Sequence, residues 1–141
     1  MDKIDQQLLN LLAEDARAPV ATLARRLDLA RTTVQARMER LERQGHIAGY
    51  TIRRGTAAKA PLRATVLISI EPRSGPTVLA RLKSLPDVTR VHTTTGRFDL
   101  IAELEAQSSE ALDDTLDRIG EAKGVKSSES LVHLSTKIDR S

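Results

Sequence analysis

The period of the apolar residues changes once along this chain, and that change constrains the fold more than any other feature. Up to residue 45 the hydrophobes recur at helical spacing. From Leu62 onward they alternate in short runs, interrupted by two further helical stretches. Between the two regimes, Thr51 to Pro61 (Thr-Ile-Arg-Arg-Gly-Thr-Ala-Ala-Lys-Ala-Pro) has no period and is small and basic. A chain of 141 residues holds one ordinary domain or two small ones. The pattern predicts two: residues 1–50, a linker over 51–61, and residues 62–141.

The first segment reads as three helices. Ile4, Leu8, Leu9, Leu11 and Leu12 place the first between Asp2 and Ala13, with Asp2 able to accept from the free amides of the first turn. Glu14 to Pro19 breaks the period, and Pro19 suits the start of a second helix through Leu23, Ala24 and Leu27. After Asp28-Leu29-Ala30 a third helix runs from about Arg31 to Gln44 and stops at Gly45, the expected left-handed residue. On that helix Val34, Met38 and Leu41 form one stripe. At about 100° per residue, Thr32, Ala36, Glu39 and Arg43 point away from it. Thr33, Gln35 and Arg40 flank the exposed face, and Arg37 sits on its shoulder. Hydroxyls and an amide can read base edges, and guanidinium groups grip phosphates. A plain three-helix bundle shares the packing pattern. The scarcity of acids in the first two turns favours a helix-turn-helix that binds double-stranded DNA.

Charge supports that choice. The net charge is +3, and residues 1–55 carry all of it, with ten Lys/Arg against seven Asp/Glu. Residues 17–54 hold nine arginines against three acids, a local +6 that attracts polyanions. Composition excludes other classes. The chain has no Cys, and Tyr50 and Phe98 are its only Tyr, Phe or Trp residues. Disulfide frames, thiolate metal sites and base-stacking platforms are therefore out of reach. Asp2, Asp5, Glu14 and Asp15 give the first fifteen residues the wrong charge for a targeting peptide. No apolar run approaches the roughly 20 residues of a membrane span. A soluble cytoplasmic protein with no membrane partner is expected.

The second segment predicts β-α-β-β-α-β. Its strands are Leu62 to Glu71, Val88 to Thr95, Asp99 to Glu105 and Val125 to Ile138. One helix starts at Ser74-Gly75-Pro76 and carries Val78, Leu79, Leu82 and Leu85; the other starts at Ser108 or Ser109 and carries Ala111, Leu112, Leu116 and Ile119. This order is the ferredoxin-like split arrangement, so the fold class is α+β. Two helices cover one face of such a sheet, and the other still carries hydrophobes. A second copy is expected to bury it, giving a symmetric homodimer. A short strand over Ile47–Ile52 would let the first lobe lean on a partner subunit.

Asp5, Leu8-Leu9, Asp15-Ala-Arg17, Leu23-Ala24, Leu29, Val34, Arg37, Leu41-Glu42 and Gly45-His-Ile47-Ala-Gly49-Tyr50 resemble the amino-terminal signature of the Lrp/AsnC (feast/famine) transcription regulators. Thr95-Gly96-Arg-Phe-Asp99-Leu and Gly124-Val125-Lys-Ser-Ser128-Glu-Ser130-Leu-Val132 resemble that family's ligand-sensing domain, known as RAM, which is similar to ACT domains. One departure is Ala30, where the family usually has a Ser that caps the recognition helix; without it Thr32 or Thr33 could start the helix instead. The resemblance implies a winged helix-turn-helix followed by a ferredoxin-like effector domain, and homodimers that assemble to tetramers or octamers. It also implies a free amino acid as effector. Gly96 would offer backbone amides to the carboxylate and Asp99 would take the α-ammonium. Ser128 and Ser130 stand where the family commonly has Thr. Read without the family, the residues favour a plain hairpin over Gly96–Asp99, with Asp99 capping its own turn.

Catalysis has little support. His46, His92 and His133 stand apart without metal-ligand spacing, and there is no Gly-rich phosphate loop. Asp113, Asp114, Asp117 and Glu121 recur at helical spacing as a solvated face. No cofactor, metal or catalytic residue is expected. Arg31, Arg37 and Arg40 are expected on phosphates and Thr32, Thr33 and Gln35 on bases, with half-sites about 10 bp apart or a multiple. The alternative is an effector-independent architectural protein that bends or wraps DNA.

Overall fold

Each helix of the first unit starts and stops for a local reason. In α1 (Lys3–Glu14) the Asp2 carboxylate accepts the Asp5 amide at 2.8 Å, and the Asp5 carboxylate accepts the Asp2 amide at 3.4 Å. This reciprocal cap satisfies two otherwise free donors. Helix α2 (Val20–Leu27) follows Pro19 and ends at Asp28, a left-handed residue with φ 55°. Helix α3 (Arg31–Arg43) starts on Ala30, whose side chain cannot cap, so Thr32 and Thr33 lie inside the first turn and do not start it. At its other end Gly45 adopts φ 81°, and the amides of His46 and Ile47 return to the Leu41 carbonyl at 2.9 and 3.1 Å. Leu8, Leu12, Leu23, Ala24, Val34 and Leu41 form the buried centre of this unit.

The computed structural model describes the chain apart from Thr56 and Ala58, and it divides into two compact units, Met1–Gly55 and Thr56–Ser141. The linker expected over 51–61 contains those two residues, so its structure lies in part outside the described ones. The short strand expected over Ile47–Ile52 is not formed in the single chain. A strand needs a neighbour to complete its hydrogen bonds, and no segment of this unit supplies one. Side chains fasten the stretch instead. The Tyr50 hydroxyl donates to Glu42 Oε1 at 2.7 Å, and Arg53 Nη2 donates to the Glu14 carbonyl at the end of α1 at 3.0 Å. Burial and the Glu42 carboxylate push the Tyr50 hydroxyl pKa up to about 12.

The second unit is β1 (Leu62–Ile70), α4 (Gly75–Lys83), β2 (Val88–Thr93), β3 (Leu100–Ala106), α5 (Ser109–Gly120) and β4 (Val125–Val132). The sheet order is β2-β3-β1-β4, antiparallel throughout. Val66 lies opposite Ala102 and Ser130, and Ile68 opposite Leu100 and Ser128. Residues paired this way share a face. Ala64, Val66, Ile68, Leu100, Ala102 and Leu104 therefore form one side, buried with Val78, Leu82, Leu112 and Ile119 of the two helices. The opposite side carries Leu67, Ile101 and Leu131 among the ion pairs Arg63–Glu105 (3.1 Å) and Arg90–Glu103 (3.5 Å). The last strand is shorter than expected: it stops at Val132 rather than Ile138. Strand β1 begins at Leu62, so after the His133 amide bonds to the Arg63 carbonyl at 2.9 Å its partner has run out.

Two glycines near this sheet should respond oppositely to the same substitution. Gly124 has φ 95°, and a Cβ there would stand 2.7 Å from Ser74 Cβ and 3.1 Å from Val78 Cγ2. Gly120 closes α5 and would meet only Ser128 Oγ at 3.8 Å. In urea unfolding, Gly124→Ala should cost at least about 1 kcal/mol, whereas Gly120→Ala should be neutral or stabilise by up to about 1 kcal/mol.

Candidate nucleic-acid interface

The buried stripe of α3 fixes which of its residues face water. Val34 and Leu41 are fully buried and Met38 half-buried, which turns Arg31, Thr32, Thr33, Gln35 and Ala36 outward. Arg31, Thr32, Thr33 and Gln35 make no side-chain hydrogen bond or ion pair among the described residues, so their donors and acceptors are free for a ligand. Thr32, Thr33, Ala36, Arg37, Arg40 and Arg43 line a shallow depression along the helix. Arg43, on the exposed face but outside the expected phosphate set, joins that rim; its spacing of seven residues from Ala36 places it there.

Two of the expected phosphate-holding arginines are already occupied. Arg37 Nη1 donates to Asp2 Oδ1 and Oδ2 at 3.0 and 2.8 Å and to Asp5 Oδ1 at 2.9 Å. Arg40 Nη2 donates to Asp5 Oδ2 and Oδ1 at 3.0 and 3.2 Å. The Asp5 side chain is only 3% exposed, while those of Asp2 and Arg40 are 54% and 42% exposed. A buried carboxylate needs such partners to stay ionised. The Arg37 hydrogen bond holds the Asp2 carboxyl below its ordinary value. For Asp5, burial pushes the pKa up, but the Arg37 hydrogen bond and the Asp2 amide outweigh it, so the net shift is downward. Arg37 is raised in turn, by Asp2 first and then Asp5. The sequence alone marks Asp2 as a cap, Asp5 as a motif residue and both as part of an acidic start, not as partners of α3. The missed signal is that the two acids and the two arginines share the same spacing of three.

The four expected effector residues do not converge within one chain. Gly96 has φ 100°, with open space where a Cβ would stand. Asp99 Oδ2 accepts the Ile70 amide at 2.9 Å, and its own amide bonds to the Ile68 carbonyl at 2.9 Å. Ser128 and Ser130 lie on the edge strand β4, exposed, on the side that the helices cover elsewhere. Strand β1 runs between the turn and these serines. His92 Nε2 is 4.0 Å from Glu103 Oε2 on the opposite face. Among the described residues no group of acids or histidines is arranged to hold a metal ion, and no helix is long and apolar enough to cross a membrane.

A trihelical unit with an outward, arginine-rimmed third helix, joined to a ferredoxin-like sheet unit, defines a two-domain helix-turn-helix regulator. Residues 1–42 match the AsnC-type helix-turn-helix domain and residues 63–141 match the Lrp/AsnC ligand binding domain. The chain belongs to the Lrp/AsnC family of transcriptional regulators, which are not enzymes. It is 34% identical over 142 residues to an uncharacterized HTH-type transcriptional regulator of Pyrococcus horikoshii, covering 96% of this chain and 94% of that one. Its fold matches E. coli AsnC with a TM-score of 0.90 at 26% identity, covering 100% of this chain and 97% of the other. It matches the feast or famine regulatory protein of M. tuberculosis complexed with L-methionine with a TM-score of 0.84 at 33% identity, covering 99% and 95%.

The downward shifts of Asp2 and Asp5 set the sign of an acid effect. Both carboxyls ionise below 3.8 in the folded unit, so their contribution is complete above that value and is lost as pH falls below it. Circular dichroism melts between pH 5 and 3 should show a falling Tm for the wild type. Asp5→Asn should start lower at pH 7 and fall less over the same interval.

Proposed function

We propose that α3 is the recognition helix of a sequence-specific DNA-binding regulator whose assembly or operator affinity responds to an amino acid. The observation that carries the first part is the row of exposed, unengaged donors and acceptors at the start of α3. Thr32, Thr33 and Gln35 have the chemistry to read base edges in the major groove, while Arg31 and Arg43 hold phosphates beside them. Arg40, half exposed, reaches a phosphate while tied to Asp5. Arg37 is chiefly a positioning residue, because its charge is matched by two carboxylates.

The open sheet face with Leu67, Ile101 and Leu131 supports a homodimer, and dimers could associate further into tetramers or octamers. The effector proposal draws on the M. tuberculosis relative complexed with L-methionine. Gly96 and Asp99 on one side and Ser128 and Ser130 on the other would each supply part of a site completed between subunits. The intervening β1 strand accounts for that requirement.

Mobility shift over a salt series tests the interface. Arg31→Ala and Arg43→Ala should each weaken binding to all duplexes and reduce the slope of log K against log salt by about 0.9. Gln35→Ala should instead lose about 1–3 kcal/mol of discrimination at one base pair. If neither arginine changes the slope, α3 is not the docking face. Thermal-shift screening against the twenty amino acids tests the effector, which at a hundred times its Kd should add about 2.7 kcal/mol. No shift with any amino acid, and DNA binding intact, would favour an effector-independent architectural role.

A further inference from the structure

We infer that Asp2 is a specificity-determining residue. Its carboxylate occupies Arg37 as a DNA phosphate would, and so withholds that guanidinium from indiscriminate backbone contact. The inference rests on the reading of α3 as the DNA-docking helix. Both Asp2 oxygens accept from one terminal nitrogen of Arg37, at 2.8 and 3.0 Å, charge-assisted hydrogen bonds of the kind that a phosphate oxygen would also form with that guanidinium. Arg37 Nε and Nη2 have no partner among the described residues, and its side chain, 20% exposed, lines the same depression as Thr32, Thr33 and Arg43. An incoming phosphate can therefore reach Arg37, but it meets a guanidinium already matched by two negative charges.

The two carboxylates divide the work. Asp5 is buried, touches both Arg37 and Arg40, and fixes their positions. The Asp2 side chain is half exposed and, apart from capping the Asp5 amide, bonds only to Arg37, so its ion pair is the one that can be exchanged at modest cost. Of the local +6 over residues 17–54, these two acids at the start of the chain cancel two charges directly on the docking helix. A lower non-specific affinity leaves base reading by Thr32, Thr33 and Gln35 a larger share of the total.

Asp2→Asn tests this without losing the helix cap, since Asn accepts the same amide; Asp2→Ser is a second capping variant. Fluorescence anisotropy with a mixed-sequence duplex should show both binding about two- to fivefold tighter at low salt. The slope of log K against log salt should steepen by about 0.9, one extra phosphate contact. In an Arg37→Gln background the Asp2→Asn change should alter neither quantity. An unchanged slope in both Asp2 variants would overturn the inference. So would an equal gain with Arg37→Gln, because that would report only the loss of one distant negative charge. If the parent chain binds no duplex, the reading of α3 falls and this inference with it. Parent binding that Asp2→Asn leaves unaltered sinks the inference alone. Thermal melts of each variant establish that the compared chains are folded.

Discussion

The helical unit depends on neutralising one buried carboxylate. Asp5 stands at the start of α1 with almost no access to water, and the guanidinium groups of Arg37 and Arg40, together with the Asp2 amide, make its charge tolerable there. Those groups come from successive turns of α3, so the requirement fixes the rotation of α3 about its own axis as well as its distance from α1. Hydrophobic packing by Val34 and Leu41 permits some sliding and rolling. Charge-assisted hydrogen bonds from two arginines of α3 to one carboxylate do not. The exposed row of Thr32, Thr33 and Gln35 inherits its direction from this constraint.

Much of the architecture was legible because local chemistry and tertiary packing agree. The caps at Asp2, Gly45 and Ser108 stand where their residue types predict, and Leu62 to Ile70 shows its buried side in its alternation. The discrepancies occur where a partner segment decides the outcome. Val125 to Ile138 has strand-like composition throughout, yet pairing stops where β1 begins, a limit that no property of the last residues announces. Ile47 to Ile52 fails as a strand in one chain for the same reason. Ala30 shows a local preference overridden: α3 begins there without a side-chain cap because the stripe from Val34 to Leu41 fixes its frame.

The functional residues were legible in type more than in employment. Exposure of the reading face followed from counting around α3, but nothing in the sequence says that Arg37 is engaged 35 residues away by Asp2. Matching pairs at the same spacing on two helices were the available clue. In the sheet unit, the Asp99 carboxylate already accepts the Ile70 amide, which ties the turn after β2 to the end of β1. One of its oxygens thus already has a structural partner, while the other has none among the described residues.

The place of β1 in the sheet has a mechanical consequence. This strand follows the linker directly, and it is bonded on both sides, to β3 and to β4. A tether fastened to an edge strand can be peeled off one hydrogen bond at a time. One that enters through an interior strand must break two ladders together. Tension carried along the chain from the helical unit is thereby delivered to a strand held on both sides, which resists a pull better than an edge strand would.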